Sequence, residues 1–204
     1  MIKNILFDFD GVILDCMPVR EYGFRKIFEN QDIDLVDKLL DFHNKNGGLS
    51  RYVKIRYFYE ELLHLNISDE EVNVLAEKFS VIMKEELVNK KYLIAETVDF
   101  IHKNYKNYNL HIVSGSDELR YLCKELEVER YFISIYGSPI HKNNLVKNIF
   151  TKYKYNKDET ILIGDSINDY EASKANNIDF YGYNEPKLKQ ISENYLINYR
   201  ELLI

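Results

Sequence analysis

Two aspartates stand one residue apart near the start of the chain. Asp8 and Asp10 follow the apolar run at residues 5–7 and precede Gly11, where the missing side chain lets the backbone turn sharply. Unpaired carboxylates are costly to bury, so this pair indicates a solvent-accessible rim at the end of a strand. Two acids placed this way can divide the work of a nucleophile and a general acid or base.

A second acidic group follows another apolar run, TILI, in the segment GDSINDYEAS. It supplies Asp165 and Asp169. If the ends of the two strands meet, three or four carboxylates converge on one point, and that density of negative charge requires a cation. Oxygen ligands favour a hard cation, so the sequence predicts a Mg²⁺ site. The alternative is that Asp165 and Asp169 only cap the following helix and charge its first turn.

Two further strand ends supply groups that complement the acids. Ser114 and Gly115, in IVSGS, offer a hydroxyl and backbone N–H donors suited to a phosphoryl group. Lys142, in SPIHK, stands just before a helical pattern, where its charge can neutralise both the acids and a phosphate. Lys147 and Lys152 are rivals, but they fall inside that helical pattern. A nucleophilic carboxylate, a second carboxylate, a hydroxyl, a lysine and a metal together indicate phosphoryl transfer.

The elements that position these groups are short apolar strands separated by helical patterns. Besides the first strand, runs at residues 110–115, 132–138, 160–166 and 178–183 are rich in β-branched and aromatic residues and end in polar or glycine positions. Leu119, Leu122 and Leu126 recur at helical spacing between two of the runs. This alternation predicts an α/β fold, a doubly wound (Rossmann-like) parallel sheet.

The first half of the chain interrupts this alternation with a helical insertion. About eighty residues after the first strand show no convincing strand, and Ser68 with Glu71 forms a capping-box pattern that begins a long helix. We therefore predict an inserted all-helical cap at residues 16–90 and an α/β core at residues 1–15 and 91–204. An insertion at this point is expected to stand over the carboxyl end of the sheet, where open α/β sheets bind ligands.

Composition narrows the class of partner. The chain has 204 residues, enough for one substantial core and a smaller appendage, and its formal net charge of −6 argues against nucleic-acid or anionic-membrane binding. Charged residues interrupt every apolar run before membrane-spanning length, and the first residues do not resemble a signal peptide. The 2 cysteines form no metal or redox motif. We expect a cytoplasmic protein that acts on a small phosphorylated metabolite.

Four segments together resemble the motifs of the haloacid dehalogenase superfamily. In chain order they are DFDGVILD, IVSGS, SPIHK and GDSINDYEASKANNI, each at the end of a predicted strand. The resemblance covers nearly the whole chain. It is specific to members with a small helical cap after the first strand, a group that includes β-phosphoglucomutase-like and phosphoglycolate phosphatase-like proteins.

This resemblance implies a Mg²⁺-dependent phosphatase that works through an aspartyl-phosphate. It gives Asp8 the role of nucleophile and Asp10 that of general acid and base. Its implied metal residues are Asp8, the backbone carbonyl of Asp10, Asp165 and, directly or through water, Asp169. Its implied phosphate-binding residues are Gly11, Ser114, Gly115 and Lys142.

Within the insertion, two arginines are candidates for contact with an anionic part of the substrate. Arg51 follows a glycine turn at residues 47–48, and Arg20 follows the first motif. The substrate class implied is a sugar or polyol phosphate, whereas the oligomeric state is not predicted.

Three other functions stay open at the level of sequence. A phosphosugar mutase is disfavoured because such mutases tend to carry a histidine near the position of Arg20 and a basic residue near Asp117. A phosphonate-cleaving enzyme needs a Schiff-base lysine in the cap, for which Lys54 is the one candidate. A phosphoacceptor signalling module also combines strand-end acids, a hydroxyl residue and a lysine, but it fits the GDSINDYEAS segment and the helical insertion poorly.

Overall fold

The computed structural model describes residues 1–46 and 49–202, and it divides the chain into two compact units. One unit comprises Met1–Cys16 together with Asn89–Ile204, and the other is Met17–Val88. Among the described residues, no helix combines the length and the apolar character that crossing a membrane requires.

The first unit is built on a six-stranded sheet in which every neighbouring pair of strands is parallel. The strands are β1 (Asn4–Phe7), β2 (Asn109–Val113), β3 (Ser134–Tyr136), β4 (Thr160–Gly164), β5 (Asp179–Gly182) and β6 (Asn194–Tyr195). Their order across the sheet is β3-β2-β1-β4-β5-β6. This is the predicted doubly wound sheet, so the expected fold class is confirmed.

Strand β1 lies between β2 and β4, and the three strands end at nearly the same level. Phe7, the last residue of β1, pairs with Ile112 of β2 and with Ile163 of β4. The chain therefore leaves β1 at Asp8 beside the ends of both neighbours. The chain runs from β1 to β2 and β3 on one side of β1 and then returns to β4 on the other side. Such a reversal creates a crevice at the carboxyl ends of the strands.

The sheet is covered by the helices α5 (Ala95–Asn104), α6 (Leu119–Glu125), α7 (Lys142–Tyr153) and α8 (Ile167–Asn176); the helices α1 to α4 precede them in the chain and belong to the other unit. Both faces of β1 are buried, which is why its sequence is a continuous apolar run. Leu6 belongs to a core cluster with Val113, Leu162 and residues of α7 and α8, whereas the ring of Phe7 packs against Phe100.

The second unit contains the helices α1 (Met17–Ile27), α2 (Ile33–Lys45), α3 (Arg51–Tyr57) and α4 (Asp69–Glu86), and a π-helical turn at Phe58–Leu62 continues α3. Phe24 of α1 packs against Phe79 of α4, with ring centroids 4.7 Å apart. The predicted capping box begins α4: the Ser68 N–H donates to Glu71 Oε2 at 2.9 Å, and the Glu71 N–H donates to Ser68 Oγ at 3.3 Å. The described residues of this unit form helices and no strand, as the sequence predicts.

Candidate active site

The loop after β1 holds Asp8 in a fixed position at the end of the sheet. The Asp8 N–H donates to the carbonyl of Ile163 at 2.9 Å, which continues the pairing of β1 with β4. Its Oδ1 accepts the N–H of Phe9 at 2.7 Å, and the Phe9 side chain is fully buried. The carbonyl of Phe9 in turn accepts the N–H of Ile13. The buried Phe9 side chain anchors the loop, so Asp8 and Asp10 lie on a tight turn at the end of β1. Asp8 is only 5% exposed, so it is more buried than the solvent-accessible rim predicted from the sequence.

Lys142 lies between two of the acids, Asp8 and Asp169, and contacts both. Its Nζ lies 2.9 Å from Asp8 Oδ1 and 2.5 Å from Asp169 Oδ1. The three side chains are almost completely buried, with 10%, 7% and 0% of the lysine, Asp8 and Asp169 side chains exposed. Lys142 is the first residue of α7, and the preceding His141 caps that helix by accepting the N–H of Asn143. The helix start therefore sets the position of the ammonium group.

Both oxygens of Asp169 have partners within the protein. Oδ1 accepts a hydrogen bond from Lys142 Nζ. Oδ2 accepts the backbone N–H of Ser166 at 3.1 Å and the Ser166 hydroxyl at 2.5 Å. The contact with Ser166 closes the first turn of α8. Asp169 therefore both caps this helix and orients Lys142. Gly164 makes the arrangement possible, because a Cβ there would lie 2.3 Å from Asp169 Cβ.

Asp165 lies against the backbone of the β1 loop. Gly11 has a φ of +74°, and a Cβ at this position would lie 1.8 Å from Asp165 Oδ2. Only glycine therefore fits between Asp10 and the carboxylate of Asp165. Burial raises the pKa of Asp165 to about 9, and the nearby charges of Asp8 and Asp169 contribute to this rise.

The electrostatics of Asp8 reflect the same crowding. Burial, then the charge of Asp169, raise its pKa to about 7 although Lys142 opposes the rise, and Asp10 is close enough to add to it. Burial alone would lower the pKa of Lys142, but the carboxylates of Asp169 and Asp8 outweigh it and raise that pKa. Lys142 therefore stays charged, and it stands among more carboxylates than one ammonium group can neutralise.

The donor set fits a hard divalent cation. Asp8, Asp165 and Asp169 each offer a carboxylate oxygen, and these atoms lie within 4.8 Å of one another. All of the donors are oxygens, which suits Mg²⁺ better than a softer metal. A cation there would also offset the repulsion that raises the pKa values of Asp8 and Asp165. Because Asp169 already binds Lys142 and Ser166, Asp8 and Asp165 are the carboxylates best placed to bind the cation.

The loop after β2 supplies the predicted hydroxyl. Ser114 is 1% exposed, its N–H donates to the carbonyl of Tyr136 at 3.0 Å, and its Oγ accepts the N–H of Ser116 at 3.1 Å. Gly115 is exposed, and a Cβ there would meet only open space. A phosphoryl group can therefore approach the backbone of this turn.

Sequence reasoning did not single out three residues that the structure places around the acids. They are Gly164, Ser166 and Ser116, whose buried Oγ has no hydrogen-bond partner among the described residues. Ser166 carried a signal, since a serine three residues before an aspartate at a helix start is typical of a capping box. The close packing at Gly164 leaves no such signal in a single sequence.

The predicted arginines lie in the helical unit. Arg51 is 7% exposed, donates to Ser80 Oγ at 2.6 Å and lies 4.9 Å from the ring centroid of Phe79. Arg20 lies in α1 and is half-buried. The glycine turn predicted before Arg51, at residues 47–48, lies outside the described residues. Substrate contact by Arg20 and Arg51 stays a prediction.

Lys54, the candidate Schiff-base residue, is buried in the same unit. It is 2% exposed, and its Nζ lies 2.8 Å from His43 Nδ1. Burial lowers the pKa of His43 to about 3, and the charges of Lys54 and Arg20 contribute. His43 is therefore a neutral acceptor for the lysine.

A known protein family matches most of the chain. A family described as haloacid dehalogenase-like hydrolase matches residues 5–183. No curated protein matches the chain in sequence.

Solved structures resemble the chain over almost its full length. β-Phosphoglucomutase from Clostridium difficile has 17% identity and a TM-score of 0.78, covering 99% of this chain and 93% of its own. A protein from Haemophilus somnus, described as a predicted phosphoglycolate phosphatase, has 14% identity and a TM-score of 0.78, covering 99% and 96%. YfnB from Bacillus subtilis, in a form bound to magnesium, has 19% identity and a TM-score of 0.75, covering 98% and 96%. At these identities the likeness is one of fold.

Proposed function

Because the chain belongs to the haloacid dehalogenase-like hydrolase family, we propose that it is a Mg²⁺-dependent phosphatase of a small phosphorylated metabolite, such as a sugar or polyol phosphate. The observation that carries this proposal is the buried cluster in which Lys142 contacts Asp8 and Asp169 while Asp165 lies against the same loop. Carboxylates in such a number suit a site that receives a cation and a phosphate together.

In the first step, a carboxylate oxygen of Asp8 attacks phosphorus and the bond from phosphorus to the ester oxygen breaks. An aspartyl-phosphate forms, and Asp10 gives its proton to the departing alkoxide to make the alcohol. In the second step, Asp10 takes a proton from water, and the resulting hydroxide attacks phosphorus. Inorganic phosphate leaves, and the carboxylate of Asp8 is restored.

The remaining residues of the cluster hold and neutralise the reacting groups. Lys142 reduces the repulsion between Asp8 and an anionic substrate, while Ser114 and the backbone at Gly115 receive phosphate oxygens. Asp8, Asp165 and the backbone carbonyl of Asp10 would hold Mg²⁺, which supplies positive charge beside the phosphoryl group. Because the pKa of Asp8 is raised to about 7, a cation beside this carboxyl favours the ionised form that a nucleophile requires.

The substrate and the compartment belong to the same proposal. Arg20 and Arg51 are the candidates for contact with the part of the substrate that does not react. We propose a cytoplasmic location, supported by the absence of a disulfide between the two cysteines, Cys16 and Cys123. We propose neither a nucleic-acid nor a membrane partner for a chain with a net charge of −6.

The test is hydrolysis of p-nitrophenyl phosphate by the purified full chain, with Mg²⁺ and with EDTA. We expect Mg²⁺-dependent release of phosphate, which Asp8→Asn lowers by about a thousandfold or more. Asp158→Asn, which alters an exposed acid outside the four motif segments, is the matched control and should keep full activity. Equal turnover by the wild type and Asp8→Asn, or full activity in EDTA, would contradict the mechanism.

Product analysis then separates a phosphatase from a mutase. With phosphorylated sugars as substrates, a phosphatase releases inorganic phosphate in proportion to the sugar consumed. A mutase would instead return an isomeric sugar phosphate, with the total of esterified phosphate unchanged.

A further inference from the structure

Asn184 contacts the nucleophile loop from the far end of the sequence. Its side-chain Nδ2 donates to the backbone carbonyl of Gly11 at 3.0 Å, across 173 positions of the chain. Asn184 follows β5 and lies outside the four motif segments of the sequence. We infer that Asn184 is a positioning residue, which fixes the conformation of Gly11 and thereby the site for the cation and Asp10. The inference rests on the proposed function, whose metal site it concerns.

Gly11 is the point at which this loop can most easily move. Its φ of +74° is one of several conformations open to glycine, and its N–H donates to the carbonyl of Leu14 at 2.8 Å. With Asn184 bound to its carbonyl, Gly11 is held on both sides. Gly11 also shares a peptide bond with Asp10, so rotation at Gly11 reorients the carbonyl of Asp10. The same rotation changes the contact with Asp165, whose carboxylate lies so close to Gly11 that a Cβ at this position would clash with it.

The residue type at position 184 matches this task in two ways. Asn184 has a φ of +58°, a left-handed conformation that asparagine and glycine adopt more readily than other residues. Its amide offers N–H donors, whereas an aspartate would present a carboxylate to the carbonyl of Gly11. The preceding residue, Tyr183, is 7% exposed and donates its N–H to the carbonyl of Gly164 at 2.9 Å. Asn184 therefore directly follows a residue that is bound to the last residue of β4, and Asp165 follows that strand.

Two variants separate the hydrogen bond from the backbone conformation. Asn184→Asp keeps the shape of the side chain, removes the donor and adds a negative charge that by itself favours Mg²⁺ binding. Asn184→Gly keeps the left-handed backbone and removes the side chain. Asn177→Gly is the matched control, because Asn177 is an exposed asparagine with a φ of +54° at the end of α8. Each protein is titrated with Mg²⁺ while its thermal unfolding is followed, a binding readout that needs no turnover. The kcat and KM for p-nitrophenyl phosphate are measured in parallel.

We expect Asn184→Gly to require about fivefold more Mg²⁺ for half of the thermal shift, the change expected for one hydrogen bond, and Asn184→Asp to require more Mg²⁺ than the wild type despite its added carboxylate. Their kcat should fall by a similar factor while KM changes less than about twofold. Asn177→Gly should match the wild type in every measurement. A role confined to stability would lower the melting temperature without changing the Mg²⁺ requirement, and that result would overturn the inference.

The outcome also distinguishes this inference from the proposed function. A wild type that binds Mg²⁺ without hydrolysing the ester would refute the phosphatase and leave Mg²⁺ affinity to decide the role of Asn184. Unchanged Mg²⁺ affinity in both variants would overturn the positioning role even if the wild type is an active phosphatase. A wild type without any Mg²⁺-dependent shift would overturn both.

Discussion

Replacing Lys142 with methionine removes the positive charge that lies between Asp8 and Asp169. The ammonium group lies 2.9 Å from an oxygen of the first and 2.5 Å from an oxygen of the second. Methionine has a similar length and no charge, so Lys142→Met leaves the packing of α7 nearly unchanged. The variant therefore isolates the electrostatic contribution of the lysine.

The expected destabilisation follows from the burial of the three groups. Breaking a buried ion pair by removing one partner costs about 3–5 kcal/mol, because the remaining charge is left uncompensated. Asp8 can escape this cost by binding a proton. Its pKa is already about 7 with Lys142 present, and it rises further when the lysine, which lowers it, is removed.

The cost therefore depends on pH. At pH 6, Asp8 is protonated in the folded variant and the loss should be about 2 kcal/mol, below the range for an uncompensated charge. Above pH 7, Asp8 loses its proton in the folded wild type but keeps it in the folded variant, so the stability of the variant relative to the wild type falls by up to about 1.4 kcal/mol per pH unit. At pH 8.5 the loss should approach about 4 kcal/mol.

The assay is urea unfolding at pH 6 and pH 8.5 in EDTA, so that bound metal does not contribute. Lys147→Met is the control, because Lys147 is an exposed lysine on the same helix. The reasoning is refuted if Lys142→Met costs no more than Lys147→Met, or if its cost is the same at both pH values.

Two further predictions concern other described contacts. Gly164→Ala should lower the melting temperature by about 5 °C, because its Cβ would lie 2.3 Å from Asp169 Cβ, whereas Gly115→Ala, which meets open space, should change it by less than about 1 °C; equal melting temperatures for the two variants would contradict the packing argument. Burial, and then Lys152, lower the pKa of His111 to about 4, so the unfolded chain binds a proton first and folding stability falls as the pH decreases from about 6.5 to about 4. In urea unfolding at pH 7, 6 and 5, His111→Gln should show a slope shallower by about 1 kcal/mol per pH unit than the wild type, and equal slopes would exclude this contribution.

The strands and the groups at their ends could be predicted because both are local in sequence. A strand buried on both faces needs a continuous apolar run, and such runs precede Asp8, Ser114 and Asp165. Parallel strands bring their carboxyl ends to one edge of the sheet, so the polar residues that directly follow such strands are expected at that edge. The capping box at Ser68 and Glu71 could be predicted for the same reason, because both residues lie within one helical turn.

Contacts between distant segments could not be predicted from a single sequence. The bond from Asn184 to Gly11 joins residues 173 positions apart, and neither residue type specifies the other. Arg51 was expected to meet the substrate, yet its guanidinium also donates to Ser80, 29 positions away, and packs on Phe79. An exposed arginine and a buried one look alike until the helices that surround them are assembled.

The case of Asp169 shows how such contacts refine a chemical hypothesis. By residue type it is a carboxylate among carboxylates, and its spacing from Asp165 permits direct metal binding, binding through water or helix capping. In the structure, one of its oxygens binds Lys142 and the other binds Ser166, so its charge is directed at the lysine. The lysine is thereby held at 2.9 Å from Asp8. A residue in the first turn of a helix can thus act on Asp8 through a cation, and in this arrangement the start of α8 and the charge around Asp8 depend on the same side chain.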